Sequence, residues 1–147
     1  MKEIFDSGSL VGPVLVTVFY FLLWYYLLLI LQRGTKYRLK EEYESQGKVF
    51  DRYFGKNEDM LSADRAVINT QEQMVPFLVA LWLHAIFVSS VYATWIGTVY
   101  VVLRAFYPSL LGKSVSRIQP KRVYWVTLPC YLIVFYLFGS TIWAVLT

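Results

Sequence analysis

Three stretches of this chain carry no charged residue: the segment between Asp6 and Arg33, the segment between Glu72 and Arg104, and everything after Arg122. A helix that crosses a bilayer needs roughly 20 consecutive apolar residues. The first and last stretches each provide one crossing. The middle one, at about 1.5 Å per residue, is too long for a single crossing and must fold back on itself. The chain is therefore expected to be an all-α membrane protein, a four-transmembrane-helix bundle. Its composition agrees, with 57% hydrophobic, 18% aromatic and 16% charged residues, well outside the soluble norm.

Residues 1–147 are read as one transmembrane domain with helices over about 10–40, 62–88, 91–110 and 123–146. The first apolar run is longer than the core of a secretion signal and no small-x-small cleavage pattern follows it. Pro13 falls in the first turn, where its missing N–H is tolerated. Gly47 is the expected stop of the polar extension that follows. Ser62 is the expected N-cap of the second helix, with Asp64 in its first turn. Ser89-Ser90 is the expected tight turn between the second and third helices. The third helix can continue past Pro108 with a kink.

The net charge of +4 is unevenly placed. Arg33, Lys36, Arg38, Lys40, Lys48, Arg52 and Lys56 flank or fill one connection, and Arg104, Lys113, Arg117, Lys121 and Arg122 another. Lys2 alone stands on the opposite side. The positive-inside rule then puts both polar loops in the cytoplasm and both termini outside. Because these cations flank apolar spans, no nucleic-acid partner is expected. One cysteine, Cys130, and one histidine, His84, leave no internal disulfide and make a protein metal site improbable. Cys130 reads as a small core residue, and His84 as a packing or hydrogen-bonding one.

The segment that demands an explanation begins the second helix. At about 100° per residue, Arg65, Asn69, Glu72 and Pro76 recur at i, i+4, i+7 and i+11 and share one face. Ionised groups at the edge of a membrane need partners. Arg65, Glu72 and Arg104 can form an interhelical ion network that fixes packing. Alternatively they line a pocket for a zwitterionic small molecule. There an arginine forks onto a carboxylate, Glu72 meets an ammonium, and Asn69 donates and accepts.

The block Asp64-Arg65-Ala66-x-x-Asn69-x-x-Glu72-x-x-x-Pro76-Phe77-Leu78, ending in Trp82, resembles the signature of the MAPEG family. These are membrane-associated proteins of eicosanoid and glutathione metabolism, including microsomal glutathione transferases, leukotriene C synthases and prostaglandin E synthases. Arg104-x-x-Tyr107 is similar to the family's pattern in the third helix. The resemblance implies a homotrimer that binds glutathione between neighbouring subunits near the cytoplasmic surface. Arg65, Asn69, Glu72, Tyr107 and Arg104 would be its ligands, with Arg33 reaching the glutathione of an adjacent subunit. It further implies an arginine between the third and fourth helices that stabilises the thiolate; Arg117 and Arg122 are the candidates, Arg122 the preferred one. The chain departs from the pattern at Leu111, where compared members carry an aromatic hydroxyl. It departs again at Gln73, where some carry Tyr, and at Pro108.

What the resemblance implies for function is an integral membrane glutathione transferase, with or without peroxidase activity. It would join the thiolate to an apolar electrophile arriving from the lipid, in detoxification or lipid metabolism. Glutathione is then a co-substrate and no metal is required. A non-catalytic lipid-binding or scaffold relative, like the family's lipoxygenase-activating protein, is the alternative, as is an accessory subunit of a membrane complex.

Overall fold

A computed structural model describes residues 10–112 and 121–147. The described residues are helical throughout apart from short connections. Helix α1 (Val11–Tyr26) passes into a π-helical segment (Leu27–Arg33) and then into α2 (Gly34–Ser45). Helix α3 (Glu58–Phe87), α4 (Ser90–Leu111), a 3₁₀ turn (Lys121–Val123) and α5 (Tyr124–Leu146) complete the chain.

Local chemistry sets the ends of these elements. Gly47 adopts a positive φ of 67° and closes α2 as expected. Its N–H bonds Glu44 O at 3.0 Å while the Lys48 N–H bonds Tyr43 O at 2.9 Å, the paired capping bonds of a Schellman turn. Helix α3 starts four residues before the position expected. Its N-cap is Asn57, whose Oδ1 accepts from Asp59 N and Met60 N at 3.0 and 3.2 Å, rather than Ser62. The apolar periodicity begins only at Leu61, so the polar first turn of Glu58 and Asp59, favourable to the helix dipole, was not visible in it. The Ser62 hydroxyl instead donates to the Gly112 carbonyl. Ser89 caps α4 by accepting from Tyr92 N at 3.3 Å, so the turn falls where it was expected without Gly or Pro.

The Val11–Ser45 run and the Lys121–Leu146 run are each long and apolar enough to cross a membrane. Helix α4 packs against α1, α3 and α5. It comes close because Gly97 faces Val16 and Leu81: a β-carbon there would sit 2.7 Å from Leu81 Cδ1 and 2.9 Å from Val16 Cγ1. The shared core holds Val16, Tyr20, Phe77, Leu81, Tyr100, Tyr107, Val126, Cys130 and Leu137. Large apolar side chains also cover the outside, among them Trp95, Trp125, Phe135 and Trp143. An apolar exterior of that extent suits contact with lipid rather than water. His84 is a hydrogen-bonding residue between α3 and α5, its Nδ1 lying 2.8 Å from Ser140 Oγ.

Candidate functional site

Helices α3 and α4 bring Asn69, Arg104 and Tyr107 together. Arg104 is 0% exposed, and its guanidinium donates to Asn69 Oδ1 at 2.7 Å. The same guanidinium carbon lies 4.8 Å from the centroid of the Tyr107 ring, within cation–π range. Tyr107 is equally buried. Among the described residues neither the Tyr107 hydroxyl nor Arg104 Nε has a hydrogen-bond partner. Arg104 also joins no ion pair among those residues; the pairs run from Lys36, Arg38 and Lys40 to Asp64, Asp59, Glu42 and Glu44. A buried guanidinium held by a neutral amide and an aromatic face lacks a counter-ion, and uncompensated burial costs several kcal/mol.

Arg65 is half-buried and Glu72 exposed on the same stripe, both within electrostatic reach of Tyr107. The interhelical ion network that the spacing also allowed does not form: among the described residues Arg65 and Glu72 pair neither with each other nor with Arg104. Prolines stand four residues beyond Glu72 on α3 and beyond Arg104 on α4. Pro76 and Pro108 supply no N–H to the carbonyls of Glu72 and Arg104, because a proline interrupts the i to i−4 ladder.

Beneath this cluster, Phe77 and Tyr100 stack at 3.8 Å with an interplanar angle of 4°. Tyr20 closes the stack from α1 by donating its hydroxyl to Thr70 O at 2.7 Å. Toward the chain's polar end, Asp64 accepts from Gln32 Nε2 at 2.8 Å and pairs with Lys36 at 2.9 Å. The motif helix is thereby held from both ends against the first helical run. Two adjoining cavities share Leu23 and Ala105, one of about 300 Å³ between α1 and α4 and one of about 490 Å³ among the first helical run, α3 and α4. The smaller is lined by Val16, Phe19, Val101 and Val102, and the larger includes the polar residues Arg38, Asp59, Ser62 and Ser109.

The model of the MAPEG family matches residues 10–143. The chain belongs to the MAPEG family. No curated protein matches its sequence. MAPEG proteins are embedded in membranes, generally trimeric and associated with glutathione, so this is a membrane protein of that class.

Other residues singled out from the MAPEG resemblance lie elsewhere. Arg33 closes the π-helical segment and faces Tyr37, its Cζ 5.5 Å from that ring, rather than the Arg104 cluster. Arg122 is exposed in the 3₁₀ turn that opens α5. Arg117 lies outside the described residues. Leu111, at the MAPEG position of departure, is 3% exposed and belongs to the hydrophobic core. Gln73, the other departure, donates from Nε2 to the Tyr131 hydroxyl at 3.3 Å. Tyr131 was missed from the sequence because only the docking of α5 on α3 brings it beside the stripe. Tyr20 was missed for the same reason: within an apolar span it reads as one more aromatic.

Proposed function

We propose that this MAPEG protein is an integral membrane glutathione transferase with four spans. Glutathione would bind at the Arg65–Asn69–Glu72 stripe, near the cytoplasmic surface, in a homotrimer. The observation that carries this reading is Arg104, a fully buried cation that donates to the Asn69 amide and joins no ion pair among the described residues. A site built this way is electrostatically incomplete until an anion enters. Arg104 and Arg65 receive the carboxylates of the tripeptide, Glu72 receives its ammonium, and Asn69 holds Arg104 in place. The Tyr107 hydroxyl, close to Arg65 and without a hydrogen bond of normal geometry among the described residues, is proposed to meet the ligand.

Catalysis on this reading rests on the thiolate. A free thiol ionises near pH 8.5, and a guanidinium beside it lowers that value. Arg122, at the entry to α5, is the residue proposed to do so, with Arg117 as the second candidate. The thiol proton leaves to water, and the sulfur lone pair forms a bond to the electrophilic carbon, either displacing a leaving group with its bonding pair or adding to an activated double bond whose displaced electron pair then takes a proton from water. The protein supplies proximity and charge stabilisation.

A second reading, a non-catalytic lipid-binding relative, is favoured by Leu111. Its burial in the core leaves no hydroxyl at that position, while the apolar groove between α1 and α4 offers room for an acyl chain. Titrating the purified protein with glutathione while following thiolate absorbance, then adding a general electrophile, separates the two. Thiolate formation with turnover is expected of the transferase. Binding with no thiolate would leave the lipid-binding reading, and no binding would remove glutathione from both.

A further inference from the structure

Helix α5 packs on α3 and α4 and buries Val126, Cys130, Val134 and Leu137 in the shared core. Tyr131 follows Cys130, about 100° further around the helix, and so stands at the flank of that buried face. Its ring is exposed, yet its hydroxyl is tied to α3: Gln73 Nε2 donates to it at 3.3 Å. Gln73 is half-buried, directly follows Glu72, and stands four residues after Asn69 on the same face of α3. The hydrogen bond therefore brings a phenol from α5 to the inner end of the Arg65–Asn69–Glu72 stripe. This face need not be open to water, because on the function proposed above it is a wall of the glutathione cleft.

Depth decides what that phenol can meet. At 1.5 Å of rise per residue, Gln73 lies about 6 Å further into the span than Asn69. From Met74 to Leu81, α3 carries no polar side chain, so the polar stripe ends at Gln73. Tyr131 thus stands where the polar site gives way to the apolar side from which an electrophile would arrive. Arg122 precedes it by nine residues, about 14 Å of rise. An arginine reaching inward and a tyrosine leaning toward its helix N-terminus converge on the space between them. The direction of the hydrogen bond completes the picture. Gln73 supplies the proton, so the phenol keeps its own for another partner, and a hydroxyl that already accepts one hydrogen bond is a stronger donor of the next.

We infer that Tyr131, held by Gln73, is a further catalytic residue that donates to the carbonyl oxygen of an α,β-unsaturated carbonyl electrophile. The inference rests on the transferase reading and gives its electrophile a chemical class. The sulfur lone pair forms a bond to the β-carbon, and the electron pair of the double bond shifts so that the carbonyl oxygen becomes an enolate oxygen. Tyr131 keeps its proton and stabilises that charge through the hydrogen bond. The α-carbon then takes a proton from water, which restores the carbonyl and balances the thiol proton released at the start. A donor aimed where charge develops strengthens in the transition state, and this is what raises the rate. Displacement of a halide puts no charge on oxygen and gains nothing from Tyr131.

Two electrophiles of similar size test this with the full chain in detergent: cinnamaldehyde, which carries the carbonyl, and benzyl chloride, which carries no oxygen. Conjugates with glutathione are quantified by chromatography. Tyr131→Phe should lower kcat/KM for cinnamaldehyde by about 10- to 100-fold and change it for benzyl chloride by less than about twofold. Gln73→Leu, which keeps the phenol but releases it, should lower the cinnamaldehyde value by about 3- to 10-fold, again selectively. Tyr136→Phe removes another phenol of α5, one whose ring lies 5.9 Å from His84, and should alter neither. Equal losses on both electrophiles in Tyr131→Phe would overturn the inference, because the Gln73 bond would then be a tie between helices and nothing more. So would no loss on either, a loss in Tyr136→Phe as large as in Tyr131→Phe, or a wild type that conjugates benzyl chloride alone. A Gln73→Leu variant equal to the wild type would overturn the part assigned to Gln73. A wild type that conjugates neither electrophile would remove the transferase reading itself, and this inference with it.

Discussion

Replacing Arg104 with Met separates the two purposes a buried cation can serve. In the free protein the guanidinium is fully buried and held by Asn69 at 2.7 Å. Deleting it forfeits a charge-assisted hydrogen bond worth about 1.5–3 kcal/mol. The same deletion relieves an uncompensated buried charge that costs several kcal/mol. Methionine has nearly the same reach and flexibility, so it fills the space without strain, and Asn69 is only half-buried and keeps access to solvent. The two effects oppose each other at similar size, and the free protein is expected to keep its thermal stability or gain some. On the proposed function, glutathione would pair the arginine with an anion. Removing one member of a desolvated charge pair costs about 2–5 kcal/mol, which is about 30-fold or more in Kd. Calorimetric titration with glutathione and thermal unfolding in the same detergent read both quantities. An affinity unchanged within a factor of three would refute the anion-binding argument. A collapse in the stability of the free protein would show Arg104 to be a structural residue.

Further outcomes follow from other contacts. Asp64→Asn breaks the partly buried pair with Lys36, at 2.9 Å, and is expected to destabilise the protein by about 1–2 kcal/mol; an unchanged melting temperature would show that α2 docks on α3 without it. Gly97→Val drives a side chain into Val16 and Leu81 and should cost about 1–3 kcal/mol by overpacking, read as lower melting and looser packing of α1 on α4 in hydrogen exchange. Tyr37 should ionise below the ordinary tyrosine value of about 10 because Arg33 bonds its hydroxyl. Its depressed value means that the stabilisation is present above the unfolded pKa and disappears as pH falls through the folded one, so none operates at neutral pH. The difference in ultraviolet phenolate titration between the wild type and Tyr37→Phe isolates this group among the 12 tyrosines, and Arg33→Gln should move its midpoint up.

Much of this architecture is legible residue by residue. Gly47 and Ser89 mark their turns because backbone conformation and capping are local matters, decided within a few residues. The π-helical wide turn at Leu27–Arg33 is not legible, since nothing in an unbroken run of Leu and Ile announces a change of pitch. The start of α3 was missed because Glu58 and Asp59 carry no apolar signal, and Asn57 looks like any loop residue until its side chain turns back on the backbone. The Asp64–Lys36 pair joins helices separated by a polar connection. Helical periodicity reports only which residues share a face on one helix, so it cannot find such a contact.

What the sequence by itself determined is the membrane character, the helical class and the presence of a charged stripe on the second long helix. These follow from the placement of charge and from the period of the α-helix, both readable along a single dimension. The tertiary structure decided which partners surround the stripe. It paired Arg104 with Asn69 rather than with Glu72, stacked it against Tyr107, and left it without a counter-ion among the described residues. It also turned Arg33 outward to Tyr37. Whether a cation on one helix meets a carboxylate, an amide or nothing on the next depends on helix rotation and approach, set here by side chains as small as Gly97. That information is distributed over all the packed helices and belongs to no single stretch of chain.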